Sequence, residues 1–366
     1  MKIIYISASI LPSETADSIH VMNMCSALSK NGNEVVLIGL HENKLDENKI
    51  FEYYGIEKTF SIITTKKGKI FIFDRLIKML RLIRNYDIVY TRYTFAAWIS
   101  SVIYNKKVIY EYHLMMQKIY NQFMEKNISR RDNVRHIFIT KALREDYIKK
   151  YKDLIKKDTL ILADCANNPG TDVIKNAYKE KLNCGYIGSF FSGKGIEVVL
   201  ELSKIMPDIN FHIVGGKEEE IIKLKEKYKN QNIIWHGYLK QKEALKILKE
   251  DIDIALLPNQ NSVIIDNRNN TDIGKYTSPM KLFEYMSFAK AIVASDISVI
   301  KEVLNEKNSI LLNPKNIEKW KNAIEMLNRD RNYYNSIRMK AYEDFYKNYT
   351  WEARAKNALS GIESIE

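Results

Sequence analysis

Cysteine is scarce in this 366-residue chain. Cys25, Cys165 and Cys184 sit far apart, in odd number and without a CxxC pair. That excludes a disulfide framework and a cysteine-built zinc site, and it suits a reducing cytosol. Long apolar runs are missing as well. The longest stretches, such as IDIALLP at 252–258, are strand-sized and far short of the ~20 residues that span a bilayer. The opening MKIIYISAS lacks the layout of a secretory signal, so a cytoplasmic protein is expected. Neither an Asp/Asp pair nor a histidine-rich cluster stands at metal-ligand spacing, and no metal or cofactor is expected. Internal repeats of 20–50 residues and low-complexity tracts are also lacking.

What is present argues for packed cores. The chain is 46% apolar and 11% aromatic, too rich for intrinsic disorder. At about one domain per ~150 residues, two domains are expected. Lysine plus arginine number 57 against 45 aspartates and glutamates, a balance of +12. Such a surplus favours anionic partners: nucleic acid, acidic lipid headgroups or phosphorylated metabolites.

Strand and helix signals alternate along the chain. KIIYIS at 2–7 is a short apolar run fit for a buried strand, and a polar loop at 9–18 follows it. In VMNMCSALSKNG (21–32), Val21, Met24, Cys25 and Leu28 recur at helical spacing, and Asn31-Gly32 supplies the stop. Strand-like runs continue at 34–39, 61–63, 87–91, 107–112, 136–140 and 160–163. After a polar stretch, NNPGTD at 167–172, the pattern restarts with NCGYIG, NFHIVGG, NIIWHG, DIALLP, AIVASD and SILLN, and helical segments such as 197–205 and 218–228 lie between. Strands apolar on both faces imply parallel sheets covered on each side. The expectation is an α/β chain of two Rossmann-like, doubly wound domains, 1–168 and 178–348, joined by a linker near 165–180 and facing across a cleft. Ligands on such sheets bind beyond the carboxyl ends of the strands.

Two segments carry chemistry. In TSPMKLFEYMSFAKAIVASD (277–296), Ser278 suits a helix N-cap and Pro279 the first helical turn. A helix entered this way aims free N–H groups and a partial positive charge at an anion. Lys281 and Glu284 share a face, so Glu284 either accepts hydrogen bonds from a ribose diol or simply pairs with Lys281. In CGYIGSFFSGKGIE (184–197) a strand ends at Gly188, and Lys194-Gly195 opens the next helix. Lys194 is a point charge for phosphate or a solvated lysine; the segment is neither a Walker A nor a GxGxxG loop.

Together these segments resemble the nucleotide-sugar half of the GT-B glycosyltransferases, specifically retaining family 4. The resemblance extends over the chain. Its marks are SKNGNEVVLI (29–38), DIVYTRY (87–93), YEYH (110–113), YIGSFFSGKG (186–195), HIVGG (212–216), NIIWHGYL (232–239), SPMKLFEYM (278–286) and YTWEARAKNAL (349–359). It implies a sugar moved with retention from a nucleoside-diphosphate donor, UDP before GDP, onto a glycan, glycolipid or lipid-linked acceptor in bacterial surface polysaccharide or lipopolysaccharide assembly. It also implies site residues. Lys194 would bind the donor diphosphate with Gly188 and Ser189 beside it. The backbone at Met280 to Leu282, behind Ser278, Pro279 and Lys281, would meet the phosphates. Glu284 would hold the ribose, and Gly237, Tyr238 and Leu239 would border the base. His113 would reach the donor sugar. The loop from Glu14 to His20, including Thr15 and Ser18, would lie near sugar and acceptor, as would Glu111, and the last helix, 351–366, would cross back to the first domain. Front-face attack without a metal is implied too.

The chain departs from the family at three places. Tyr276 stands where the first acid of E-x7-E falls, Ser189 where an arginine is common, and the first βα loop, SILPSETADSIH, lacks a glycine pair. Thr15 or Ser18 is left to meet the phosphate there. The rivals are a GT-B-type sugar-nucleotide epimerase, against which SPMKLFEYM argues, and a basic nucleic-acid-binding protein, which lacks any reader motif. One segment stays unassigned. In IFIFDRLIKMLRLIRNYD (70–87), following Lys66, Lys67 and Lys69, Arg75, Lys78, Arg81 and Arg84 accompany an apolar stripe of Phe73, Leu76, Ile77, Leu80 and Ile83. It is either a helix packed on the sheet or one lying on an anionic membrane surface. Lys126, Arg130, Arg131 and Arg135 add charge in the same domain.

Overall fold

The computed structural model describes residues 1–68, 72–174, 181–266 and 271–364. Lys69, residues 175–180 of the linker, and the side chains of Phe73 and Arg75 lie outside the described residues. The chain forms two compact units, unit 1 from Met1–Ala163 with Trp351–Glu366 and unit 2 from Asp164–Thr350.

Unit 1 holds β1 (Lys2–Ile10), β2 (Glu34–His41), β3 (Ser61–Lys66), β4 (Ile88–Thr91), β5 (Lys107–Tyr112), β6 (Val134–Phe138) and β7 (Thr159–Ile161). They form one parallel sheet in the order β3-β2-β1-β4-β5-β6-β7. Its helices are α1 (Ala16–Lys30), α2 (Glu47–Tyr54), α3 (Ile72–Ile83), α4 (Thr94–Trp98), α5 (Ile119–Ile128) and α6 (Lys141–Lys150). Unit 2 holds β8 (Cys184–Ile187), β9 (Phe211–Val214), β10 (Ile233–Gly237), β11 (Ile254–Leu257), a ribbon of β12 (Ile264–Asp266) and β13 (Thr271–Asp272), β14 (Ala291–Ser295) and β15 (Ile310–Leu312). Its parallel sheet runs β10-β9-β8-β11-β14-β15, and α7 (Ile196–Ile205), α8 (Glu218–Lys227), α9 (Gln241–Glu250), α10 (Met280–Ser287), α11 (Ile317–Arg329) and α12 (Arg331–Asn348) lie along it. The last helix, α13 (Trp351–Leu359), returns to unit 1.

Burial explains the composition of the strands. Every residue of β4, β6, β8, β9, β11 and β14 is buried, because helices cover both faces of a parallel sheet. In unit 2, Trp320, Phe211, Leu202 and Tyr334 fill the layer between sheet and helices. In each sheet the strand order reverses at one place, between β1 and β4 in unit 1 and between β8 and β11 in unit 2.

Some elements depart from the sequence reading. β1 runs on to Ile10, and α1 begins at Ala16 rather than after a loop to 18. The Ser9 hydroxyl donates to Asp17 at 2.6 Å, so the strand end is tied directly to the first helical turn. In α3, Ile77 leaves the apolar stripe at 47% exposure and Met79 takes the buried place at 3%. Arg135 is no surface charge. It is buried, donating to Asp158 at 2.6 Å and to the carbonyls of Ala358 and Ser360. Among the described residues, no helix is long and apolar enough to cross a membrane.

α5 itself carries a buried acid to which, among the described residues, no cation is bonded. Glu125 accepts a hydrogen bond from Tyr147 at 2.6 Å, with the hydroxyls of Tyr110 and Tyr151 at 3.5 Å. Burial pushes its carboxyl up to about 7 against the opposing hydrogen bonds and the Lys150 charge. Folded protein therefore binds a proton that unfolded chain releases near the ordinary carboxylate value. Stability should fall as pH rises from about 4.5 to 7 and level off above, by on the order of 3 kcal/mol. Urea unfolding of unit 1 across that window measures this slope, which Glu125→Gln should flatten.

Candidate active site

In unit 2 the loops that follow β8 and β11 meet where the strand order reverses, the usual ligand position on an open parallel sheet. Backbone contacts fix them to each other. Gln260 N–H donates to Gly193 O at 2.8 Å and Ile264 N–H to Ser192 O at 3.0 Å. Gly195 has φ 82°, and a Cβ there would lie 2.0 Å from Pro258 O, so only glycine permits the approach. Gly193 is equally tight, since a Cβ there would lie 1.8 Å from Ser262 O, and Lys194 stands between the two. Its side chain is half-buried, and burial alone holds its ammonium below the ordinary lysine value. Among the described residues, no hydrogen bond or ion pair reaches that ammonium. A desolvated cation without a carboxylate is set up for an anion.

α10 starts beyond β11 in a different way from the sequence reading. Pro279 occupies the N-cap position, and no side chain caps the helix. Ser278 is not the cap; its hydroxyl instead accepts from Asp164 N–H at 3.0 Å. The Leu282 N–H turns back to Pro279 O, and the amides ahead of it have no side-chain acceptor. An uncapped helix start keeps its positive end available.

Glu284, on the second turn of α10, is buried and doubly held. Lys281 Nζ donates to Oε2 at 2.7 Å and Gln241 Nε2 to Oε1 at 3.1 Å. The ion pair left open by the spacing is thus formed, yet a carboxylate has about four lone-pair sites and can still accept from a diol. Gln241 is a contact that the sequence did not announce. Nearby, Gly188 N–H donates to Val214 O at 3.0 Å, and Ser189 O accepts from the Tyr186 hydroxyl at 2.7 Å. Gly237, at φ 70°, ends β10 on the same carboxyl-end edge, followed by Tyr238, 61% exposed, and half-buried Leu239.

Unit 1 carries a second cluster. Glu111, in β5, is fully buried and accepts from Tyr90 at 2.5 Å, from Arg354 of α13, from His20 at 3.0 Å and from His113 at 3.3 Å. Burial alone would raise its carboxyl; Arg354, His20 and the hydrogen bonds overcome that and hold it well below the ordinary range. Ligand atoms of His20, Glu111 and His113 lie within 4.8 Å of one another, spacing a cation could use, although Arg354 already places a charge on that carboxylate. Sequence reading missed the grouping because its members are scattered. His20 lies on α1 rather than in a loop, and it is buried edge-on against Trp351 at 4.9 Å. His113 retains 18% side-chain exposure. Its burial and the Arg92 charge bring it down to about 4, so the ring is neutral at pH 7. With Nε2–H donating to Glu111, Nδ1 is the acceptor. In the β1–α1 loop the two hydroxyls separate. Thr15 is exposed, whereas Ser18 is buried and donates to the Ser13 and Thr15 carbonyls.

Comparison places this chain among proteins of related architecture. Residues 171–344 match the family model described as glycosyl transferases group 1, and residues 18–158 match that described as glycosyltransferase family 4. Among curated protein sequences, none matches. Solved structures similar in fold include Anabaena HepE in complex with UDP, at 12% identity and TM-score 0.72, covering 100% of each chain. The lipopolysaccharide outer core galactosyltransferase WaaB follows at 15% identity and TM-score 0.65, covering 98% of this chain and 99% of that one. S. aureus TarM in complex with fondaparinux, alpha-GlcNAc-glycerol and UDP has 12% identity and TM-score 0.71, covering 99% of each.

Proposed function

For a chain that belongs to the GT-B glycosyltransferases, we propose that unit 2 binds a nucleoside-diphosphate sugar, UDP before GDP, through Lys194 and the start of α10. The observation that carries this reading is the ammonium of Lys194, unpaired among the described residues, on backbone held by two close glycine contacts where the strand order reverses. Its charge and the dipole of α10 would stabilise the departing diphosphate. Glu284, held by Lys281 and Gln241, would accept the ribose hydroxyls, with Gly237, Tyr238 and Leu239 beside the base.

In this reading the sugar C1–O bond to phosphate breaks as a C1–O bond to the acceptor forms on the same face. The acceptor proton passes to a leaving phosphate oxygen, and configuration is retained. His113 contributes as a neutral acceptor, its Nδ1 aligning a sugar hydroxyl, while Glu111 and His20 fix its ring from below. Thr15 contacts sugar or acceptor. The acceptor is a glycan or glycolipid of bacterial surface polysaccharide or lipopolysaccharide assembly, handled on the cytoplasmic side. The lipopolysaccharide in the description of WaaB, and the fondaparinux and alpha-GlcNAc-glycerol held by TarM, support that class.

A melting panel with UDP, GDP, ADP and CMP tests the donor half. At a hundredfold excess over its Kd a binding nucleotide adds about 2.7 kcal/mol, a rise of several degrees. UDP should give the largest rise, and Lys194→Ala should reduce it. If none of the four shifts the transition, this assignment of unit 2 is wrong.

A further inference from the structure

Arg92 directly follows β4, at the carboxyl-end edge of the unit 1 sheet where the order reverses between β1 and β4. His113 follows β5, the neighbouring strand. The Nη1 atom of Arg92 is buried and has no hydrogen-bond partner. No hydrogen bond or ion pair reaches any other atom of this guanidinium among the described residues. Its charge acts on Asp17, Tyr5 and His113, so these groups surround it without bonding to it. Asp17 uses its Oδ2 on the Ser9 hydroxyl at 2.6 Å. The contrast with Arg354 is sharp, since that guanidinium meets Glu111 and the carbonyls of Ala163 and Leu162.

A half-buried guanidinium with one buried nitrogen that no acceptor meets is costly to leave dry, and the planar fork of arginine matches phosphate and carboxylate. We propose that Arg92 anchors an anion site in unit 1, which receives a phosphate or carboxylate group of a substrate at the strand-end edge that also carries His113. The site stands on unit 1 alone and does not depend on the donor assignment to unit 2. Its anion is a charged group of the acceptor, either a phosphate or a carboxylate.

The test uses the full chain, with Arg92→Gln and Arg92→Lys compared to wild type. Inorganic phosphate and glucuronate are titrated by calorimetry in a Lys194→Ala background, so that unit 2 adds no signal, and UDP in the otherwise native chain. Removing one charge-assisted contact should weaken the relevant probe roughly ten- to a hundredfold. Arg92→Lys should keep part of the affinity. Without ligand, Arg92→Gln should melt no lower than wild type, because an unpaired charge has been removed. A loss for phosphate or for glucuronate identifies the group that the acceptor carries; a loss confined to UDP overturns the acceptor as its source. Unchanged affinity for all three probes overturns the site. So does an empty Arg92→Gln protein that melts well below wild type, since the guanidinium would then be serving the fold.

Discussion

Lys194→Ala is expected to fold normally and to turn over at least ~100-fold more slowly, the scale seen when one preorganised charge-stabilising donor is removed from a site. The physical basis lies in when the contact matters. The ammonium is already desolvated and without a carboxylate, so nothing in unit 2 loses a partner when it goes. Its contribution grows as negative charge collects on the leaving diphosphate, which places the loss in kcat more than in KM. Lys194→Arg should recover only part, because a planar fork replaces a compact point charge. Steady-state kinetics beside a melting curve separates the outcomes. Near-normal turnover by a correctly folded variant would sink the proposed role.

Arg354→Met should be the most damaging single change to stability in unit 1. The guanidinium meets Glu111 in a buried place and also donates to Ala163 O at 2.9 Å and Leu162 O at 3.1 Å. Removing it leaves a carboxylate in the core whose remaining partners are Tyr90 and two histidines. Breaking a buried pair in this way costs about 3–5 kcal/mol, a fall in Tm on the order of 10 °C. The companion variant makes the expectation specific. Glu111→Gln combined with Arg354→Met should recover much of the loss, because no charge is then stranded. A double variant no more stable than Arg354→Met would show that the guanidinium acts through the carbonyls instead. Both are read by calorimetric melting.

The architecture was legible because two-sided burial writes itself into the strands as continuous apolar runs, as in DIALLP for β11 and AIVASD for β14. Local chemistry was legible as well. Lys194 and Glu284 were singled out from motifs a few residues long, and their settings depend on neighbours in sequence such as Gly195 and Lys281. What stayed hidden were partners from afar. Gln241 reaches Glu284 across 43 positions and Arg354 reaches Glu111 across 243, and neither pairing leaves a periodic or spaced signal. Ser278 was misread for the opposite reason. Its capping propensity is genuine, but the hydroxyl found a better donor in the backbone of Asp164, and helix entry passed to Pro279. Ile77 failed through phase: it stands at the edge of the apolar arc of a strongly one-sided helix, next to Arg81, where facing out costs least.

That α13 completes unit 1 bears on how the protein is made. The carboxylate of Glu111 is synthesised long before its guanidinium, so until then it has only Tyr90, His20 and His113 for partners. Unit 2, an uninterrupted stretch, can finish folding in the meantime, whereas its partner must wait open for the final turns of the chain. A nascent chain arrested before residue 354 would then carry one mature half and one still lacking its buried guanidinium, a difference that limited proteolysis would read.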